Sequence, residues 1–275
     1  MMHEKSIALI VVLISLITVL AIQPVKAQFL GSIYISADGS VVGTNSIQRN
    51  GNIYTLTANI SGGIQVQKSY IVIDGAGYTV EGSGEEVGID LSANYSYQSP
   101  IQINNVTVKN LRIVNCYHGI GNEGAHNNTF IGNYVADCDT AFWITGSSNN
   151  TLRFNTVKDC VTGISINYGS SGNVITENNI INVGVLVWLS PEPTVDRNYW
   201  SDYLTKYPNA KEIGNSGIWD TPYNYGGSLG DFTDNHPLIE PVSVIPEFPS
   251  CVILPLFMVA TLLIFVIVRR KIAKK

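Results

Sequence analysis

The 275-residue chain is 45% hydrophobic and only 13% charged, with a formal net charge of −5. Between the two apolar ends, residues 28–268 carry 9 Lys or Arg against 20 Asp or Glu, a formal −11. That excludes the basic footprint a phosphate backbone needs, so no nucleic-acid partner is expected. Four cysteines, Cys116, Cys138, Cys160 and Cys251, are too few for a small disulfide-stapled fold.

The amino terminus has the layout of a secretory signal peptide over residues 1–27: Lys5, an apolar run from Ile7 to Ile22, then Val25-Lys26-Ala27. Cleavage is expected between Ala27 and Gln28. The apolar run is long for such a signal, which leaves an uncleaved anchor as the alternative.

Residues 28–190 are organised by a repeat. Cys116, Cys138 and Cys160 lie 22 residues apart, and LRIVNCYHGI, NYVADCDTAFWI and NTVKDCVTGISI superpose around them. A fourth line, NNIINVGVLV, follows with Val183 in the cysteine place. Apolar and polar residues alternate in runs too short for helices, punctuated by Gly, Asn, Asp and Ser. Phe130, Leu152 and Ile175 form one apolar column; Ile113, Val135, Val157 and Ile180 form a second; Ile120, Phe142, Ile164 and Val185 form a third. Three short strands and their turns per unit make one coil of a parallel β-helix, and stacking coils about 4.8 Å apart buries what no coil buries alone. The predicted fold class is therefore all-β, a single-stranded parallel β-helix, and its coils resemble the right-handed solenoid of pectate-lyase-like proteins. Asn133, Asn155 and Asn178 share one column and predict an internal amide ladder, whereas Asn173 reads as an exposed turn amide. The period is less regular upstream, where Ile71-Val72-Ile73 reads as a strand and Asp74-Gly75-Ala76-Gly77 as a turn. Residues 92–100 interrupt the period as a projecting loop.

After Val187 the repeat is expected to stop at Pro191 and Pro193, which lack a ladder donor. Residues 191–241 then read as an aromatic-rich cap over the last coil, with Tyr199, Trp200, Tyr203, Trp219 and Tyr223 buried there. A linker over 242–250 leads to an uncharged apolar run at 251–268 of membrane-spanning length. The basic tail 269–275 behind it would stay cytoplasmic and place the body outside the cell.

The coils resemble those of the parallel β-helix group that includes carbohydrate-binding and sugar-hydrolase domains and the nitrous-oxide-reductase maturation protein NosD. The opening stretch IYISADGSVVGTNSIQRNGNIYTLTANISGGIQVQKSYIVIDGAGYTV and the closing stretch NYWSDYLTKYPNAKEIGNSGIWDTPYNYGGSLGDFTDNHPLIEP are more closely similar to archaeal surface proteins of that NosD-like kind. Pro246-Glu247-Phe248-Pro249 before the apolar run resembles a PEF-type sorting signal, which implies a transpeptidase that removes the tail. The resemblance implies the fold; it names no reaction.

Several residues could carry chemistry, each with a plainer explanation. The column Cys116, Cys138 and Cys160 could hold Cu(I), which thiolates suit, or could be small buried thiols in a core. Asp137 and Asp159 share a turn column and could act on a glycosidic bond or bind Ca²⁺; Asx turns explain them equally directly. No catalytic residue and no resident cofactor is assigned. Trp143 lies between inward-facing Phe142 and Ile144, so alternation turns it outward, to stack on a sugar or to pack against the 92–100 loop. Asn59, Asn94, Asn105, Asn127 and Asn149 head Asn-x-Ser/Thr sequons and are candidate glycan acceptors in an exported protein. The resulting expectation is a membrane-anchored surface scaffold or binding module for glycans or other surface proteins. A polysaccharide hydrolase or lyase and a copper-handling protein are the alternatives.

Overall fold

The computed structural model describes residues 33–93, 102–188, 193–227 and 230–243. Each unit turns at corners where the backbone enters the left-handed region. Asn127, Gly132 and Asp137 do so in one coil; Asn149, Phe154 and Asp159 do so in the next, all with φ between 52° and 66°. Gly has no Cβ to clash there, and the short polar side chains of Asn and Asp tolerate it, which is why these types recur with the period.

Three parallel sheets result, wound into about six turns. The first runs from Ile33–Ile35 to Val185–Trp188, the second from Ile53–Leu56 to Thr194–Asp196, and the third from Ile60–Ser61 to Tyr199–Trp200. Phe130 pairs with Leu152 and then Ile175; Ile113, Val135, Val157 and Ile180 pair in succession. Ile120, Phe142 and Ile164 also stack as expected. Val185 does not extend that column: a register irregularity sets it opposite Thr162. The fourth unit is shortened after Val183, so its strand begins early relative to the coil below.

The upstream end is not simply more coils. Val41–Val42 runs antiparallel on Ile33–Ile35, and Ile47–Asn50 antiparallel on Ile53–Leu56, so two open sheet edges are covered. At the other end the array continues past residue 190. Thr194–Asp196 pairs parallel with Val174–Thr176, and Tyr199–Trp200 with Asn179–Ile181. Pro193 falls just before the strand, so its missing N–H interrupts no ladder.

The inside of the solenoid is aliphatic and aromatic, with two buried seams of asparagine at the corners. In the predicted seam, Asn133 Nδ2 donates to Asn155 Oδ1, Asn155 Nδ2 to Asn178 Oδ1 and Asn178 Nδ2 to Asn198 Oδ1, each at 3.0 Å. The same oxygens accept the backbone N–H of the coil below at 2.9–3.0 Å. The second seam was not anticipated. Asn150 Nδ2 and its N–H both donate to Asn173 Oδ1, and the N–H of Asn128 donates to Asn150 Oδ1. Asn173 is 1% exposed, so it is a seam member and not an exposed turn amide.

Beyond Trp200 come a one-turn helix, Tyr203–Lys206, and an antiparallel hairpin of Tyr223–Gly227 with Gly230–Asp234. Trp200 stacks on Tyr223 with ring centres 4.3 Å apart, and Tyr203 on Trp219 at 5.1 Å. Trp200, Tyr203 and Tyr223 are buried, Trp219 is partly so, and Tyr199 is half-buried. The hairpin also ends the predicted seam. Asp234, fully buried, accepts from Asn198 Nδ2 at 3.2 Å, Asn198 N at 2.8 Å, Trp200 Nε1 at 3.1 Å, Arg197 N at 2.9 Å and His236 N at 3.1 Å. Burial pushes its pKa above the usual carboxylate value, and these donors pull it back.

Among the described residues no helix is long and apolar enough to cross a membrane. The signal segment with Ala27 and Gln28, the 251–268 run, the basic tail, the Pro246–Pro249 motif and Asn94 lie outside the described residues.

Candidate functional site

In the first sheet, His118–Glu123, Thr140–Thr145 and Thr162–Asn167 are six residues long, twice the three-residue strands beside them in the other sheets. A longer strand presents more outward positions. One outward column is Asp90, Gly121, Trp143 and Ser165; the next is Glu123, Thr145 and Asn167. Gly121 has no room for a side chain on this face, since a Cβ there would meet Val87 Cγ1 at 2.9 Å and Asp90 Oδ1 at 3.5 Å.

Trp143 faces outward, as alternation requires, and is half-buried. Its partner is the His118 imidazole, stacked with centres 4.8 Å and planes 12° apart; Tyr117 is tilted against His118 with ring centres 4.3 Å apart. Burial holds His118 below its ordinary 6.5, and the carboxylates of Asp139 and Asp90 oppose that shift. The ring is therefore neutral at pH 7. Its Nδ1 has no hydrogen-bond partner among the described residues, and neither do Thr145 Oγ1 and Asn167 Oδ1 on the same face. Asn167 Nδ2 donates to Ser165 Oγ at 2.8 Å. All three atoms are buried, and an unmade buried hydrogen bond costs about 1–3 kcal/mol, so they are a local cost to the fold.

Sequence reasoning reached Trp143 but missed His118, Thr145 and Asn167. Counting outward along the 22-residue register from Trp143 would have found the latter pair; the stacking of His118 depends on side-chain direction. Asp137 and Asp159 belong to a corner column, with φ of 54° and 52°, and to neither outward column of this face. Asp159 accepts from Asn182 Nδ2 at 2.6 Å, which holds its carboxyl below the usual value, and lies 3.4 Å from the Lys158 ammonium. The positive φ at both positions is the backbone reason for Asp there.

Cys116, Cys138 and Cys160 are buried and free. Each thiol points back to a carbonyl of its own turn, on Val114, Ala136 and Lys158 at 3.2–3.4 Å. Their mutual hydrogen bonds lower the pKa of Cys116, push Cys138 up to about 12 and raise Cys160 further. Among the described residues no three His, Cys, Asp or Glu side chains are grouped to hold a metal ion. A straight column explains this: sulfurs one coil apart cannot all lie about 2.3 Å from one ion.

Asn59, Asn105, Asn127 and Asn149 are exposed. Asn59 Oδ1 accepts from the Thr79 N–H at 2.9 Å; the other three share a corner column at φ 57–59°.

No curated protein and no solved structure gives a significant match to the chain. A family profile described as a right handed beta helix region matches residues 31–199, more than half of the sequence and nearly all of the three-sheet array. The chain belongs to that right-handed β-helix family.

Proposed function

We propose that this chain is an exported, surface-anchored β-helix that binds glycans along the outer face of its long-strand sheet. The observation that carries the reading is the half-buried Trp143–His118 stack, bordered by Asp90 and Glu123. An aromatic platform with polar groups around it suits the apolar face and hydroxyl rim of a pyranose. The rigid array holds these groups without loop ordering, which limits the entropic cost of binding.

Export is supported by the residues 1–27 layout, and anchoring by the apolar run 251–268 with its basic tail. The resemblance to NosD-like archaeal surface proteins and the PEF-type motif support display at a cell surface, with the tail either retained as an anchor or removed in sorting. The acidic body and its exposed sequons at Asn59, Asn105, Asn127 and Asn149 suit a glycosylated exterior.

Glycan-array binding by the full chain, compared with Trp143→Ala, tests the assignment. Loss of at least tenfold in affinity without a change in melting temperature is expected, about 1.4 kcal/mol. Unchanged binding by the variant would remove the face from consideration. A second reading, a polysaccharide hydrolase or lyase, is favoured by one observation: an imidazole, His118, and a carboxylate, Asp90, stand on adjacent paired strands of this sheet. Release of reducing ends that is lost in His118→Phe would establish it over simple binding.

A further inference from the structure

A second site lies where the array meets its cap. The chain does not return to the first sheet after Trp200; it leaves through Ser201 and Asp202 into the one-turn helix, and the Tyr223–Gly227 strand folds back over the gap. A cleft of about 380 Å³ remains, lined among others by Asn182, Ser201, Asp202, Trp200, Tyr223 and Tyr225. That volume falls within the range of small-ligand sites, about 300–1,000 Å³.

Asn182 spends its Nδ2 on Asp159 Oδ1 at 2.6 Å, which leaves its carbonyl oxygen as the available end. The Asn182 N–H donates to Ser201 Oγ at 2.9 Å. Asp202 receives only the Tyr223 hydroxyl, at 3.0 and 3.2 Å, and has no cationic partner among the described residues. The Lys206 ammonium donates to the Asn224 carbonyl and sits over the Tyr223 ring, 4.5 Å from its centre. The cleft therefore offers a carboxylate, an amide oxygen and the Ser201 and Thr205 hydroxyls beside aromatic rings, with no basic residue lining it.

We infer that this cleft binds a small organic ammonium ion of amino-sugar size, its charge on Asp202 and its carbon skeleton against Tyr225 and the edges of Trp200 and Tyr223. A cation pairs with the Asp202 carboxylate, and the ring edges give apolar contact to its carbon skeleton. The site is separate in sequence and in sheet from the outward face that carries Trp143.

The test is calorimetric titration of the full chain in detergent with glucosamine, glucose and N-acetylglucosamine at mildly acidic pH, where the amine is protonated and the carboxylate ionised. Glucosamine should bind at least tenfold more tightly than either neutral sugar. Asp202→Asn should remove that preference, Tyr225→Ala should weaken binding severalfold, and Trp143→Ala should leave it unchanged. Because Asp202 also holds Tyr223, Tyr223→Phe serves as the folding control: it removes the hydroxyl contact and keeps the carboxylate, so it should retain amine binding. Equal binding of all three sugars, an unaffected Asp202→Asn, or no heat at ligand concentrations of about 10 mM would overturn the proposal. Loss of binding in Trp143→Ala alone would place the ligand on the other face.

Discussion

The interior coils and the capped end solve the same problem with different residues. Inside the array every coil has a neighbour above and below, so one residue type repeated along a column can serve as donor to one side and acceptor from the other. Asn133, Asn155 and Asn178 do this, each amide pointing its Nδ2 toward the next coil's Oδ1. At the last coil that direction has no continuation. Another amide would bring donors that the site could not use, and the residue found there, Asp234, only accepts when ionised. A repeating seam needs a chemically different residue at its end, and this chain supplies it from a hairpin outside the repeat.

The comparison breaks most visibly at that end. Asp234→Ala strips the shared acceptor from Asn198, Trp200, Arg197 and His236, and should cost about 3–5 kcal/mol, several times an ordinary surface change. Because the loss is terminal, the cap should melt before the coils. Tryptophan fluorescence should then fall at a lower temperature than the β-sheet circular dichroism, whereas coincident transitions would mean that the cap is not locked through Asp234.

An interior substitution should behave differently. Asn155→Leu leaves the N–H and Nδ2 of Asn133 without their acceptor and should cost about 2–3 kcal/mol in a single shared transition. Asn173→Ala should cost a similar amount, since Asn150 loses the same two bonds. A much smaller loss for Asn173→Ala in denaturant melts would show that the second seam contributes little.

The outer face sharpens the comparison through pH. His118 is held below 6.5 by burial, so its contribution to stability is fully present above 6.5 and is lost as pH falls through its lower folded value. The wild type should therefore lose melting temperature as pH falls below 6.5, more steeply than His118→Phe. Parallel pH profiles would mean that His118 does not titrate in this window. The smallest effect is expected at a corner. Phe154 occupies the left-handed region at φ 55°, where Gly132 stands one coil earlier. Phe154→Gly should relieve strain and stabilise by up to about 1 kcal/mol, less what its stacking with the Arg153 guanidinium contributes.

The sequence by itself determined the repeating part of this protein. A 22-residue period forces equivalent residues into register, so the apolar columns, the Asn133 seam, the buried thiols and the outward direction of Trp143 could all be read from spacing. Such reading weakens where the period is imperfect. Val185 slipped its column because the fourth unit is shorter, and Pro193 stopped nothing because it stands before a strand. Asn173 looked like a turn residue because turns and inner corners favour the same amino acid, and only burial separates them. What the tertiary structure alone decided are the contacts between residues unrelated by the repeat. Asp234 reaches Asn198 across 36 positions, and His118 meets Trp143 through the lean of two side chains. The cleft beside Asp202 exists because a hairpin folds over a coil that was never completed. Periodicity encodes what each coil shares with the next, and function draws on the places where neighbouring coils differ.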